Sequence, residues 1–158
     1  DETAEMTGKV CVVTGANAGI GYATARGLAR MGATVVFACR SEARALAAMT
    51  KVRAEVPGLP EERLVFMPLD VSSLASVRAF AEAFASSRLE LHVLINNAGV
   101  MRPGRAVSAE GFELTMASNH LGHFLLTNLL LPHLDRQGAD ARIVVVASSI
   151  HKLPKRMD

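Results

Sequence analysis

Runs of consecutive apolar residues alternate along this chain with segments in which apolar positions recur every three or four residues. Such alternation is the mark of strands buried on both faces and joined by crossover helices. Val10-Cys11-Val12-Val13 reads as the first strand, and Ile20, Ala23, Gly27, Leu28 and Met31 space out a helix that Gly32 ends. Thr34 to Cys39 is the second strand, followed by a helix on Leu46, Met49, Val52 and Val56 that Pro57-Gly58 closes. Leu64 to Leu69 is the third despite Pro68, which cannot donate to a central ladder but is tolerable at the sheet edge, where the doubly wound order 3-2-1-4-5 puts the third strand. Val77, Phe80, Ala81 and Phe84 form one face of a third helix, which leads to a fourth strand, Leu91 to Ile95. Ser108 is expected to cap a short helix, and a long one runs through Asn119 to Leu134. Ile143-Val144-Val145-Val146, all β-branched, is the fifth strand and is expected to be buried on both faces. The fold class is α/β: a doubly wound parallel sheet ordered 3-2-1-4-5 with helices on both faces.

Composition narrows the partners. The chain has 158 residues, 50% of them hydrophobic and 20% charged, which reads as one globular domain with a real core. A formal net charge of +2 gives no case for nucleic acid or an anionic membrane surface. Leu121 to Leu134, the longest candidate membrane span, is broken by Gly122, His123, Thr127, Asn128, Pro132 and His133 and falls short of the roughly 20 apolar residues needed. The sequence opens on Asp1, which leaves room for an upstream targeting segment or membrane tether. Cys11 and Cys39 lie in strands without metal or redox spacing, as core thiols of a cytoplasmic or other reducing compartment. His120 and His123 stand at i, i+3 with no third ligand nearby, so no metal site is expected.

The chemistry-bearing residues gather at the strand ends. Thr14-Gly15-Ala16-Asn17-Ala18-Gly19-Ile20-Gly21 joins the first strand to the first helix through three glycines. Gly15 allows a tight turn, Gly19 lets backbone N–H groups approach an anion, and Gly21 permits close helix packing. Unpaired N–H groups and the dipole at the helix start favour a pyrophosphate there. After the fourth strand comes Asn96-Asn97-Ala98-Gly99. Together, the Thr-Gly-x-x-x-Gly-x-Gly turn and this tetrapeptide resemble the short-chain dehydrogenase/reductase family, and Asn119-His120-Leu121-Gly122-His123-Phe124 is similar to its retinol dehydrogenase-like branch, which includes the WW-domain-containing oxidoreductases.

The resemblance implies a Rossmann-type NAD(P)-binding domain over residues 1–158, and hydride transfer between nicotinamide and a small carbonyl or alcohol substrate, lipophilic in this branch. It assigns the pyrophosphate to Gly15, Gly19, Ile20 and Gly21, with Thr14 and Asn17 also cofactor-binding, the adenine to the Asp70 carboxylate and Val71 backbone, and the ribose side to Asn97, Ala98 and Gly99. Asn119 takes the catalytic position whose backbone carbonyl holds a proton-relay water. Ser149 takes the position that hydrogen-bonds the substrate oxygen, with Ser148 its near competitor.

Two positions sharpen or limit this reading. The second strand ends at Arg40-Ser41 with no carboxylate before Glu42, so the expected cofactor is NADP(H) in preference to NAD(H). Ser41 is either a second contact to the 2′-phosphate or a helix cap, and Asp70 either meets adenine or caps the next helix in competition with Ser72 and Ser73. The family's catalytic Tyr-x-x-x-Lys does not occur; Tyr22, the single tyrosine, stands in the first turn of the phosphate-binding helix. The expectation is therefore a fragment, inactive alone, without the family's C-terminal strands and substrate lid, so that the fifth strand is an apolar edge. The alternative is a catalytically inactive short form that binds nucleotide or a full-length partner. The long helix is apolar on more than one face, which suits either a homo-oligomer contact through Asn119 to Leu134 or cover from the same chain.

Overall fold

Successive side chains of a strand point to opposite faces, so a strand that is apolar throughout needs helices on both sides. The computed structural model, which describes residues 5–101 and 103–148, places β1 (Val10–Thr14) in that situation, every residue buried. Cys11 and Val13 pack on one face; Val10 and Val12 pack on the other. β2 (Thr34–Cys39) and β3 (Leu64–Pro68) extend the sheet on one side, and β4 (Leu91–Asn96) and β5 (Arg142–Val145) on the other. All pairings are parallel, in the order β3-β2-β1-β4-β5, with Val12 beside Val36 and Leu94. This is the order expected from the sequence.

Helices α1 (Gly19–Arg30) and α2 (Glu42–Glu55) cover the Cys11 face, burying Phe37, Met49 and Val52. Helix α3 (Leu74–Ser86) and α4 cover the other, with Phe80, Phe84, Leu126, Leu130 and Leu134 against Val12 and Leu94. α4 is built of a short α turn (Leu114–Met116), a π turn (Ala117–Leu121) and a long α segment (Gly122–Asp135). No helix among the described residues is long and apolar enough to cross a membrane. Burial pushes the Cys11 thiol up to about 12, as befits a core residue and not a reactive one.

Several local expectations need correction. α1 buries Gly21, Ala25 and Ala29, while Ile20 is 65% exposed and Ala23 faces solvent. Close approach of this helix to the sheet admits only small side chains, so the buried face is the small one and not the large one. In α2, Ala45, Ala48, Met49 and Val52 are buried and Leu46 is exposed. Ser108 caps no helix: its hydroxyl accepts from the Glu110 amide in a turn, and α4 starts at Glu113, whose carboxylate accepts from the Thr115 and Met116 amides at 2.8 and 2.7 Å. Those two N–H donors hold the Glu113 carboxyl below its ordinary range. β5 is the outermost strand and is exposed along its length, Ile143 by 42% and Val145 by 68%, so it is not buried on both faces.

The caps of α2 and α3 are serines. Ser41 Oγ accepts from the Arg44 amide at 3.4 Å and Ser73 Oγ from the Ser76 amide at 3.3 Å. Ser73, and not Asp70, therefore caps α3. Ser73→Ala is expected to lower the unfolding free energy in urea by about 1 kcal/mol, the usual worth of such a cap; an unchanged midpoint would mean that another group takes over.

Candidate functional site

The turn from β1 into α1 is set by its glycines. Gly15 and Gly19 adopt φ of +68° and +54°, a region that residues with a Cβ rarely enter. Gly21 has an ordinary φ but no space: a Cβ there would lie 2.3 Å from the Gly15 carbonyl oxygen and 2.4 Å from Asn97 Nδ2. Cys39, buried, lines the cleft beside this turn, and burial pushes its thiol up. α1 differs from α2 and α3 at its start. Its N-cap is Ala18, with no side-chain hydrogen bond and no acidic residue in the first turn. The first N–H groups of α1 are thus open to an anion, which the helix dipole favours.

Thr14 fastens this turn to the end of β4. Its Oγ1 accepts from the Asn97 amide at 2.9 Å and the Ala98 amide at 2.8 Å, and the Asn97 side chain donates to the Thr14 carbonyl at 2.8 Å. Asn96 donates to Thr127 Oγ1 at 2.9 Å and so ties β4 to α4. The two adjacent asparagines hold different neighbours because alternate residues at a strand end face opposite ways.

Along the carboxyl edge of the sheet these parts enclose a cleft of about 410 Å³. Gly15, Asn17, Ile20 and Gly21 line its floor; Arg40, Ser41, Asp70 and Val71 line one end; Asn97, Ala98 and Gly99 line the other. Gly19 borders an adjoining depression with Arg44 and Lys51, and Thr14 lies buried behind the wall. The Asp70 carboxylate is partly engaged already: Oδ1 accepts from the Ser72 amide and hydroxyl at 2.9 and 2.6 Å, while Oδ2 lies 3.8 Å from Arg40 Nη1. The Arg40 side chain is 73% exposed. Ser41 lines the cleft while capping α2.

Asn119 sits in the π turn of α4, beside the far end of the cleft. Its amide clamps the Val100 backbone, Oδ1 accepting from the Val100 N–H and Nδ2 donating to the Val100 carbonyl, both at 2.8 Å. Ser149 lies outside the described residues. Tyr22 is spoken for elsewhere: its hydroxyl donates to Glu55 at 3.1 Å, tying α1 to α2, and burial together with Glu55 pushes its acidity down. No group of three or more His, Cys, Asp or Glu among the described residues could hold a metal.

Sequence reasoning missed Cys39, Arg44, Leu69, Val100 and Ser118, all of which line the cleft. Arg44 lies in the first turn of α2, four residues after Arg40. Gly122 was also missed. A Cβ there would lie 1.9 Å from the Val71 carbonyl oxygen, so α4 rests directly on the backbone that borders the cleft.

A model of the short chain dehydrogenase family matches residues 9–157. Retinol dehydrogenase 12 of Bos taurus is 47% identical over 151 residues, covering 96% of this chain and 46% of that protein. RhlG of Pseudomonas aeruginosa, solved as an NADP active-site complex, superposes with a TM-score of 0.79 at 28% identity, covering 98% of this chain and 59% of that one. The 3-ketoacyl-(acyl-carrier-protein) reductase of Brucella melitensis, complexed with NADH, superposes with a TM-score of 0.75 at 32% identity, covering 94% and 60%. The chain spans less than half the length of the curated relatives it matches. Sheet order, glycine turn, the Asn-Asn-Ala-Gly end of β4 and these similarities agree: the chain belongs to the short-chain dehydrogenase family, in its retinol dehydrogenase-like branch.

Proposed function

We propose that this chain is the dinucleotide-binding portion of an NADP(H)-dependent oxidoreductase that passes a hydride between nicotinamide and the carbonyl or alcohol carbon of a small, lipophilic substrate. The observation that carries the reading is Arg40, an exposed guanidinium at the tip of β2, lining the cleft where a ribose-binding carboxylate would otherwise stand. Its 3.8 Å approach to Asp70 is an exposed pair of little worth, so the guanidinium can turn to a 2′-phosphate at small cost. The rest of the cleft suits the same ligand. Open N–H groups at the start of α1 receive the pyrophosphate, Asp70 and Val71 meet the adenine, and Asn97 to Gly99 bring backbone close to a ribose.

Bound there, the dinucleotide supplies the hydride acceptor or donor; the residues of the chain orient it and exclude water from one side. Asn119 would present its backbone carbonyl to the proton relay, and Ser149 would bond the substrate oxygen. On the outer face of α4, Phe124 and Leu131 are 63% and 40% exposed and offer a second copy an apolar contact.

The test is a titration of NADPH and NADH into the purified chain, followed by nicotinamide fluorescence. NADPH is expected to bind more tightly, and Arg40→Ala is expected to weaken NADPH by about 10- to 100-fold, the worth of a charge-assisted contact, while leaving NADH within a factor of two or so. Equal affinities for the two nucleotides, or equal losses in the variant, would overturn the preference. Binding of neither would overturn the function.

A further inference from the structure

The functional reading above gives His123 no task, yet its ring sits between two of the parts that reading depends on. His123 is 6% exposed. Its Nε2 lies 2.9 Å from Thr14 Oγ1, and Asn119 stands about one helical turn back, in the π segment. A neutral imidazole carries one hydrogen, on one ring nitrogen or the other.

Which nitrogen carries it follows by counting. Thr14 Oγ1 has two lone pairs, and both are taken by the Asn97 and Ala98 amides. Its own hydrogen has two acceptors within reach, the Ile95 carbonyl at 3.4 Å and His123 Nε2 at 2.9 Å. The shorter and stronger choice is the imidazole. A hydrogen on Nε2 would instead point at a hydroxyl with no lone pair left. One form of the ring satisfies every group: neutral, hydrogen on Nδ1, lone pair on Nε2. Burial holds the imidazole below its ordinary pKa, in keeping with a neutral ring.

We propose that His123 is a positioning residue. Resting on the dinucleotide reading, the proposal is that it holds the π turn of α4, and Asn119 with it, in register with the phosphate turn. The links run from the Asn97 and Ala98 amides to the Thr14 hydroxyl, to the imidazole, and back one turn along α4 to Asn119. From there the Asn119 side chain returns to Val100, one residue beyond Gly99. The loop is closed, so displacing the nucleotide turn displaces the relay carbonyl with it. A phenylalanine of similar size could fill the site but would not make the bond to Thr14.

The experiment uses the ¹⁵N-labelled chain without nucleotide. Long-range ¹H–¹⁵N correlations of the histidine rings, with His123 assigned by its disappearance in His123→Phe, are expected to show hydrogen on Nδ1 and a bare Nε2. Thr14→Ser should keep that form and Thr14→Val should lose it. Amide exchange supplies the readout that a merely space-filling histidine would not move. In His123→Phe the Val100 amide, which donates to Asn119, should exchange about tenfold faster, while the Leu94 amide in β4 keeps its protection. A wild-type ring with hydrogen on Nε2 would overturn the proposal, and so would equal loss of protection at Val100 and Leu94. Because these readings need no ligand, failure of the chain to bind NADPH would count against the function and leave this result standing.

Discussion

Replacing Gly122 with alanine is expected to cost the fold about 3 kcal/mol or more, enough to abolish the native state of a marginal domain. Helix propensity alone argues the other way, since alanine in a helix interior is worth about 1 kcal/mol over glycine. The contact decides the sign. The new Cβ would lie 1.9 Å from the Val71 carbonyl oxygen, 2.8 Å from its carbon and 3.2 Å from its Cα, all of them backbone atoms. No rotamer relieves such a clash, and relief requires α4 to lift from the sheet or the β3–α3 connection to move. Lifting α4 would expose Leu126, Leu130 and Leu134, which are at most 2% exposed. The measurement is the urea midpoint, with Gly27→Ala as the matched control. Gly27 is also helical, meets nothing within 4 Å, and should gain a few tenths of a kcal/mol to about 1. A Gly122→Ala variant as stable as this control would show that α4 does not sit on Val71.

The second large effect is on binding. Gly21→Ala would bring a Cβ to 2.3 Å from the Gly15 carbonyl oxygen and 2.4 Å from Asn97 Nδ2. The Asn97 amide cannot simply swing aside, because it donates to the Thr14 carbonyl at 2.8 Å. The turn must open, carrying the first N–H groups of α1 out of line. NADPH affinity is expected to fall by about 100-fold or more, equivalent to roughly 2.7 kcal/mol. Circular dichroism separates this from unfolding, since the sheet does not depend on Gly21 for its apolar burial. Binding within about threefold of wild type would mean that the turn tolerates a side chain and that the phosphate contacts lie elsewhere.

The sheet was legible because strands buried on both faces must be apolar throughout, and Val10 to Thr14 and Thr34 to Cys39 are nothing else. Pro68 agrees with β3 at the edge, since it cannot donate to a central ladder. What stayed hidden was set by distance. The buried face of α1 went to Gly21, Ala25 and Ala29 because the sheet lies so close, while the branched side chain of Ile20 was left for the cleft. The π turn has no composition of its own, and no local pattern distinguishes Gly122 from a helix-weakening glycine until Val71 is found beneath it. Ser108 lost to Glu113 because a carboxylate reaches two amides at once. The glycine turn and the Asn-Asn-Ala-Gly segment gave about half of the residues that line the cleft; the partner of each asparagine did not show in the sequence.

α1 alone of the three long helices capped near the cleft begins without a side-chain partner for its first amides. Such a partner elsewhere is worth about 1 kcal/mol, so this end of the molecule is the readiest to fray. A dinucleotide that occupies those donors then acts as a folding ligand, and at a hundredfold excess over its Kd it adds about 2.7 kcal/mol. A protease samples the frayed population. If the dinucleotide binds as proposed, the lifetime of the chain against proteolysis should lengthen as nucleotide is added.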